Sequence, residues 1–434
     1  MIGELHALVQ RTIERRAVYQ NAAEKFGTPQ YLVEADLLRH QVDRFQAAFA
    51  VTNQTVRTHY AFKANPTLPI LKLVRASGLS ADVSSGLELS AALALEFEHI
   101  VFSGPGKTDD ELALAIANAD RVVIHVDSFA EVTRLNELAS RASTVMRVGI
   151  RLNTAAHGLW TKFGIPLKDL PQFIQFTRGL DHVRLEGVQF HLSWNRQSTG
   201  YTDTLKTLGP ILAAHRPTTG WRFVDIGGGF YPEDDEAAYP WVANGQIAPA
   251  EGPPLDWDMT YQLPTVSPIE SMAKDVVATF REAIRDVPEL WVEPGRYIAN
   301  PAVHVMLRVI DVKGDAVAIT DGGTNLLGWE RLELEHTPLI NLTRPSAQQI
   351  RFTVYGSLCT PHDLWGYTCY AEDIRPGDIL ITPAHGSYVQ TLAQRFIKPV
   401  CQTILLETNG STSRVAAAET ARDRYPELFP MQGE

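Results

Sequence analysis

Eight short apolar runs in the first two thirds of the sequence end in residues that could do chemistry. The ends read Lys63, Ser84-Ser85-Gly86, Ser103-Gly104, Asp127, Arg151 to Asn153, His191, Gly227-Gly228-Gly229 and Glu293-Pro294-Gly295-Arg296. Lys63 closes HYAFKANP. With its pKa lowered by burial, such a lysine serves as a Schiff-base amine; one that snorkels to solvent is only a polar stem. In DIGGGF (225–230), successive glycines either let backbone N–H groups converge on a phosphate or supply a turn with positive φ. The run is not GxGxxG, and a long insertion follows it instead of a helix, which disfavours a dinucleotide site. In EPGR, Arg296 could grip the same phosphate through two N–H groups, and Glu293 could accept from a protonated ring nitrogen; a surface ion pair is the alternative. SGPGKTDDEL is not a P-loop, because Val101 stands where the first glycine is required; Thr108 to Glu111 predict a capping box instead. A lone histidine such as His191 is more often structural than catalytic. There is no HExxH and the histidines are scattered, so no metal site is expected. Cys359, in YGSLCTPHD, lies in a polar, turn-rich segment beside His362 and Asp363. That setting points to a role more than the buried position usual for a free cysteine does.

The elements that must position these residues alternate. Strand-like runs are VRTHYAF, SADVSS, HIVFSG, RVVIHV, TVMRVGIRL, RLEGVQFHL, WRFVDI and LWVEP, with helical stretches such as SFAEVTRLNELASRA between most of them. Eight strand–helix units predict an α/β chain with a closed (β/α)8 TIM-like barrel, an open doubly wound sheet being the runner-up. In a barrel, active-site residues belong at the C-terminal strand ends, where these residues stand. The barrel is expected over 37–296. Residues 1–36 and 297–434, with AVHVMLRVIDV, AVAITD, IRFTVYG, DILITP and an opening strand YLVEA, predict a β-rich, barrel-like second domain. An acidic, proline-rich segment at 231–264 has neither period and is expected as a surface insertion on the barrel.

Composition narrows the class. The chain has 434 residues, a net charge of -11 and 45% hydrophobic residues. An acidic protein without basic clusters is a poor ligand for nucleic acid or anionic membranes. Cys359, Cys369 and Cys401 are too few for a disulfide framework, so reduced thiols in a cytoplasmic protein are expected. The first twenty residues read as an amphipathic helix without signal-peptide features, and no apolar run is long enough to span a bilayer.

The order of YAFKANP, SADVSSGLEL, FSGPGKT, RLNTAAHGLWTKFGI, GVQFHL, DIGGGF, VEPGR, TDGGTN, GSLCTPHD and HGSY over residues 60–388 resembles that of the fold-type III pyridoxal-phosphate decarboxylases, which include the diaminopimelate, ornithine and arginine decarboxylases. The resemblance implies that Lys63 holds pyridoxal 5'-phosphate covalently. His191 stacks on its ring, Glu293 binds the ring nitrogen, and Asp82 lies near lysine and ring. Gly228, Gly229, Arg296 and Tyr388 bind the phosphate. Cys359 reaches in from the second copy of a homodimer to return a proton. Alanine racemases of similar fold place an arginine at the position of Glu293, so an acid there implies decarboxylation. A racemase or lyase on the same scaffold, or a regulator that has lost activity, are the alternatives.

The substrate half departs from the family. Ser193-Trp194-Asn195 stands where Gly-Ser-Gln is usual. Thr360 replaces the acid that grips a distal ammonium after the cysteine. Gly328 or Trp329 falls where diaminopimelate enzymes have a carboxylate-binding arginine, and Phe396-Ile397 replaces Tyr-Asn. Thr360-Pro361, with GPGKT and DGGT, resembles decarboxylases of siderophore and related secondary pathways, some of which act on conjugated amino acids. Thr360, Asp363, Asn325 and Asp321 are the expected substrate contacts, with a relocated specificity acid for diaminopimelate, ornithine or lysine as the alternative.

Overall fold

A computed structural model describes residues 2–50, 54–154, 158–217, 220–233, 237–243, 253–254, 256–328 and 338–429. Trp329 and parts of the 231–264 segment lie outside them. The chain forms two compact units: 39–231 with 266–298, and 1–38 with 232–265 and 299–434.

After β1 (Gln30–Glu34), the first unit is built on β2 (Thr55–Ala61), β3 (Ser80–Val83), β4 (Ile100–Phe102), β5 (Val122–Val126), β6 (Met146–Asn153), a two-residue β7 (Ile165–Pro166), β8 (Val183–Phe190), β9 (Phe223–Asp225) and β10 (Glu289–Val292). The pairings run β2-β3-β4-β5-β6-β8-β9-β10 and return to β2, all parallel. This is the eight-stranded closed barrel. Its strands correspond one for one to the eight apolar runs, because strands buried on both faces read as near-continuous hydrophobic stretches.

Local sequence starts the helices that follow. Ser85, Thr108 and Ser128 each accept the backbone N–H of a glutamate three residues on. At Thr108 the glutamate also reaches back, completing the capping box. Each cap contributes about 1 kcal/mol and fixes where strand turns into helix.

The barrel interior is stratified. Val101, Val123, Phe223 and Trp291 form an apolar plug, in which the Phe223 and Trp291 rings stack 3.6 Å apart at 3°. Room for it comes from a missing side chain. A Cβ on Gly187 would lie 2.3 Å from the Phe223 ring. Two residues further along the strands the inner positions become polar: His125, Asp225 and Glu293 are fully buried.

The second unit begins with helices Ile2–Glu14 and Arg16–Phe26, two where the sequence suggests one. Its mixed nine-stranded sheet adds to β1 the strands β11 (Val303–Lys313), β12 (Val317–Thr320), β13 (Ile340–Asn341), β14 (Gln349–Tyr355), β15 (Leu364–Tyr370), β16 (Ile379–Thr382), β17 (Gln402–Leu406) and β18 (Thr412–Ala416). Their order is β12-β14-β15-β13-β16-β11-β1-β17-β18. The opening strand β1 is central, antiparallel to β11 and parallel to β17.

The 231–264 segment differs from its expected place on the barrel. Tyr239, Trp241, Met259, Tyr261 and Leu263 belong to the core of the second unit, with Leu32, Met306 and Ile381. Tyr239 stacks on Tyr261 at 4.3 Å, and its hydroxyl shares a 2.7 Å hydrogen bond with Thr368. The physical reason is the aromatic content. Proline removes any period, but rings this large recover their hydrophobic free energy only in a core.

Candidate active site

The barrel gathers the chemistry-bearing residues at the C-terminal ends of its strands. Lys63 sits one turn beyond β2, and its Nζ donates to Asp82 Oδ2 at 2.9 Å. Asp82, on β3, is buried, and its other oxygen accepts from Ser103 Oγ at 2.6 Å. Arg151, near the end of β6, donates to the Ser103 carbonyl at 2.9 Å. Burial and the charge of Glu293 push the Asp82 carboxyl up, and Lys63 opposes them. A buried carboxylate needs partners to stay charged, and here the partner is the amine whose position matters. The Lys63 side chain keeps about a third of its surface exposed, so the ammonium is anchored but reachable.

Glu293 ends β10 with 1% exposure. His191 Nδ1 lies 3.7 Å away and His125 Nδ1 3.9 Å, and Gln189 Nε2 donates at 3.4 Å. Burial raises its pKa, but the His191 imidazole and the Lys63 ammonium outweigh burial and hold the carboxyl well below its usual range. Asp225, on the neighbouring strand, goes the other way: burial, then the charge of Glu293, push it well up. Burial pushes His125 down to about 3 and also lowers His191. Burial and neighbouring charge thus push the two carboxyls in opposite directions inside a dry barrel. The two carboxyls are separated in role by environment alone. His125, Asp225 and Glu293 bring ligand-type atoms within 4.8 Å of one another.

His191 Nδ1, which faces Glu293, also lies 3.2 Å from the Gly228 N–H. Trp160 stacks on His191 at 6.2 Å and 25°. With Arg151, Asn153, Phe163 and Asn195 these rings line a cavity of about 320 Å³.

The glycine run is required sterically. Gly227 and Gly229 have φ of 70° and 90°, a region closed to most side chains. A Cβ on Gly228 would come within 2.4 Å of the Glu293 carbonyl, and one on Gly229 within 2.0 Å of the Leu192 carbonyl. Arg296, buried, lies 5.6 Å over the Trp194 ring and 5.2 Å over Tyr231. Trp194, at the departure from Gly-Ser-Gln, holds φ of 65° and is half exposed. Its contact to Arg296 is a cation over an aromatic face, not a hydroxyl donor.

In the second unit, Cys359 is exposed on a loop organised from inside by Asp363. The Asp363 carboxylate, 1% exposed, accepts the Leu358 N–H at 2.6 Å and the Thr324 N–H and hydroxyl at 2.6 and 2.9 Å. Asn325 donates to the Gln394 and Lys398 carbonyls. Asp321 accepts from Thr28 Oγ1 and the Arg308 N–H. Three of the four expected substrate contacts are thus used inside their own unit. Thr360, partly exposed beside Cys359, accepts the His362 N–H at 3.4 Å. Tyr388, also partly exposed, holds φ of 62°.

Asp225, His125 and Gln189 carry no role in the sequence reading, and neither do Ser103 and Arg151 at the strand ends. The signal for the first three was the period of two: each stands two residues before a strand-end residue, hence on the same inner face one layer down.

The site fits pyridoxal phosphate on its own geometry. It offers an anchored amine, an acid held ionised for a ring nitrogen, and a glycine cradle beside a buried arginine. Comparison with known proteins agrees. Residues 35–300 match the family model described as pyridoxal-dependent decarboxylase, pyridoxal binding domain. The chain is 25% identical to diaminopimelate decarboxylase of Bacillus subtilis, covering 92% of this chain and 91% of that one. It is 25% identical to the L-glutamyl-(BtrI acyl-carrier protein) decarboxylase of Niallia circulans, covering 92% and 93%. The crystal structure of M. jannaschii diaminopimelate decarboxylase in complex with L-lysine shares the fold, with a TM-score of 0.78 at 22% identity over 96% and 94% of the chains. The protein belongs to the pyridoxal-dependent decarboxylases, the fold-type III enzymes that use pyridoxal phosphate to remove the carboxylate of amino acids.

Proposed function

We propose that this decarboxylase takes an amino acid whose far end is neutral or conjugated, in biosynthesis, and that it works as a homodimer with shared active sites. The observation that supports the substrate reading is the loop carrying Cys359. The residue after the cysteine is Thr360, and the nearest acid in sequence, Asp363, has both oxygens taken by its own loop and by Thr324. Asp321 is committed in the same way. A distal ammonium there would lack a carboxylate, and a polar site rejects a mismatched end group by orders of magnitude. The relative from Niallia circulans, named for a glutamyl group on a carrier protein, supports a conjugated substrate.

In this reading Lys63 would hold the cofactor through its amine, which Asp82 keeps in place. Pyridoxal phosphate supplies the electron sink for the pair released as CO₂ leaves. Glu293 would accept a hydrogen bond from a protonated ring nitrogen. Gly228, Gly229, Arg296 and Tyr388 hold the phosphate, with Trp194 orienting the Arg296 guanidinium where relatives have a hydroxyl. The exposed Cys359 of each copy returns a proton in the site of the other. A place in siderophore-type secondary metabolism and a cytoplasmic location complete the proposal. Among the described residues no helix is long and apolar enough to cross a membrane.

The test is kcat/KM for lysine, ornithine and diaminopimelate against neutral and carrier- or acid-conjugated amino acids, with CO₂ release as readout. A preference for any of the first three overturns the substrate reading. Mixing Lys63→Ala and Cys359→Ala chains should restore activity, since one site of each heterodimer keeps both residues; full activity of a proven monomer contradicts the shared site.

A further inference from the structure

The opposite pole of the barrel carries a second concentration of charge. At the N-terminal strand ends, Arg57, Arg121, Arg147 and Arg222 line a cavity of about 90 Å³ with His59 and Glu289. Its floor is the Phe223–Trp291 stack, so the apolar plug separates it from Lys63 and Glu293. The arginines are unevenly compensated. Arg57 Nε donates to Glu289 Oε2 at 3.3 Å, and that oxygen also takes Trp291 Nε1 at 2.8 Å. Glu186, the other acid on the rim, is paired with Arg184 at 2.6 Å. Arg121 and Arg147 reach only neutral groups, the Asn118 side chain at 3.1 Å and the Asp120 carbonyl at 3.0 Å. Among the described residues no carboxylate lies within ion-pair distance of Arg121, Arg147 or Arg222.

A buried histidine borders the same space. His59 is 1% exposed and lines the floor, and its Nδ1 has no hydrogen-bond partner. A buried polar atom without a partner is rare in a native interior and marks a place where something else supplies the bond. The field is positive as well: after burial, the charges of Arg57 and Arg147 lower His99, which also borders the cavity. In a chain of net charge -11, converging guanidinium groups around a space this small cost repulsion unless an anion sits among them.

We propose that this pole is a binding site for a tetrahedral phosphate dianion, held by Arg121, Arg147 and Arg222 with His59 beneath. Guanidinium groups match phosphate oxygens bidentately, and the volume admits one such group. A larger groove of about 750 Å³ adjoins it, sharing Arg57 and His99 and lined by Gln46, Phe49, Gln54 and Ser80. It offers room for the organic part of a phosphomonoester.

The experiment titrates cofactor-saturated enzyme with inorganic phosphate and, separately, with glycerol phosphate. Calorimetry is run at constant ionic strength with chloride as the balancing anion. One phosphate is expected to bind per chain with the cofactor's visible absorption unchanged. Arg147→Gln and Arg222→Gln are each expected to weaken binding about tenfold, and Lys274→Gln, an exposed position outside the cavity, to leave it unchanged. Arg222 is exposed, so its substitution keeps the fold. Tighter binding of glycerol phosphate assigns the groove to the ligand body; equal binding assigns free phosphate. Absence of binding up to about 10 mM, or binding that survives both Arg147→Gln and Arg222→Gln, overturns the proposal. Neither outcome depends on which amino acid the enzyme decarboxylates.

Discussion

Asp225 on β9 and Glu293, the residue after β10, are both fully buried, yet their surroundings shift the two carboxyls in opposite directions. Neither shift follows from the residue type. Against burial, His191 and Lys63 pull the Glu293 carboxyl down, while burial and the charge of Glu293 push Asp225 up. Replacing Glu293 with Gln keeps the shape and removes the charge that the proposed role of Glu293 requires. The expected outcome is a fall of about 10²–10³-fold in kcat, the scale of losing one fixed electrostatic partner in a dry site. If Lys63 carries the cofactor as proposed, borohydride should still fix it there, because the Lys63–Asp82 contact at 2.9 Å is untouched. An unchanged kcat would remove Glu293 from the reaction. Lys63, His191, Glu293 and Arg296 stood out in the sequence because each follows an apolar run, where a polar residue needs a reason, and their roles came only from the family resemblance. The inner layer of His125, Gln189 and Asp225 was not assigned, because a polar residue inside a buried strand reads as noise until the closed barrel brings eight strands together.

The barrel strands were legible for the reason that makes a parallel sheet: both faces are covered, so each strand is a short apolar block between capped helices. In the second unit, β13, β15, β17 and β18 were not anticipated. β15 is buried at all but one position and contains Gly366, so it shows neither alternation nor an uninterrupted β-branched run. For β17 and β18 the signal was present. Asn409-Gly410 lies between them, and Gly410 has φ of 78°, the turn chemistry that such a dipeptide supplies in hairpins. Inside the barrel, glycine has another use. At Gly187, on β8, a Cβ would stand 2.3 Å from Phe223, a ring pinned by Trp291 at 3.6 Å. Gly187→Ala is expected to cost about 1–3 kcal/mol by overpacking, read as a lower urea midpoint. Phe223→Leu in the same chain should return part of it, since contacting residues couple. Equal midpoints for wild type and Gly187→Ala would show that the plug yields.

At the scale of the whole molecule, the chain crosses between its two units four times, and the N-terminal segment belongs to the β-rich unit, not to the barrel it precedes. A polar knot secures that placement. Glu34, at the end of β1, is 0% exposed. It accepts from Tyr19 Oη at 2.5 Å, pairs with His304 Nε2 at 2.7 Å, and meets Arg15 between the two N-terminal helices. Sequence alone could not find this knot, because His304 is 270 positions away. Burial works to raise the Glu34 pKa, but His304, Tyr19 and Arg15 together bring it down from 4.5 to about 2. A carboxyl depressed on folding stabilises the native state above its unfolded pKa, and that contribution is lost as pH falls through the folded value. The shift of 4.5 - 2 = 2.5 units corresponds to about 3 kcal/mol at neutral pH. Glu34→Gln is therefore expected to be about 3 kcal/mol less stable than wild type at pH 7. The gap should narrow as pH falls below 4.5 and close near pH 2. Because the carboxylate is buried, the difference should persist at high salt, where an exposed pair would be screened. Urea unfolding of both proteins at stepped pH measures the gap directly. A constant difference from pH 7 down to acid would mean that Glu34 acts through its shape and not through its charge.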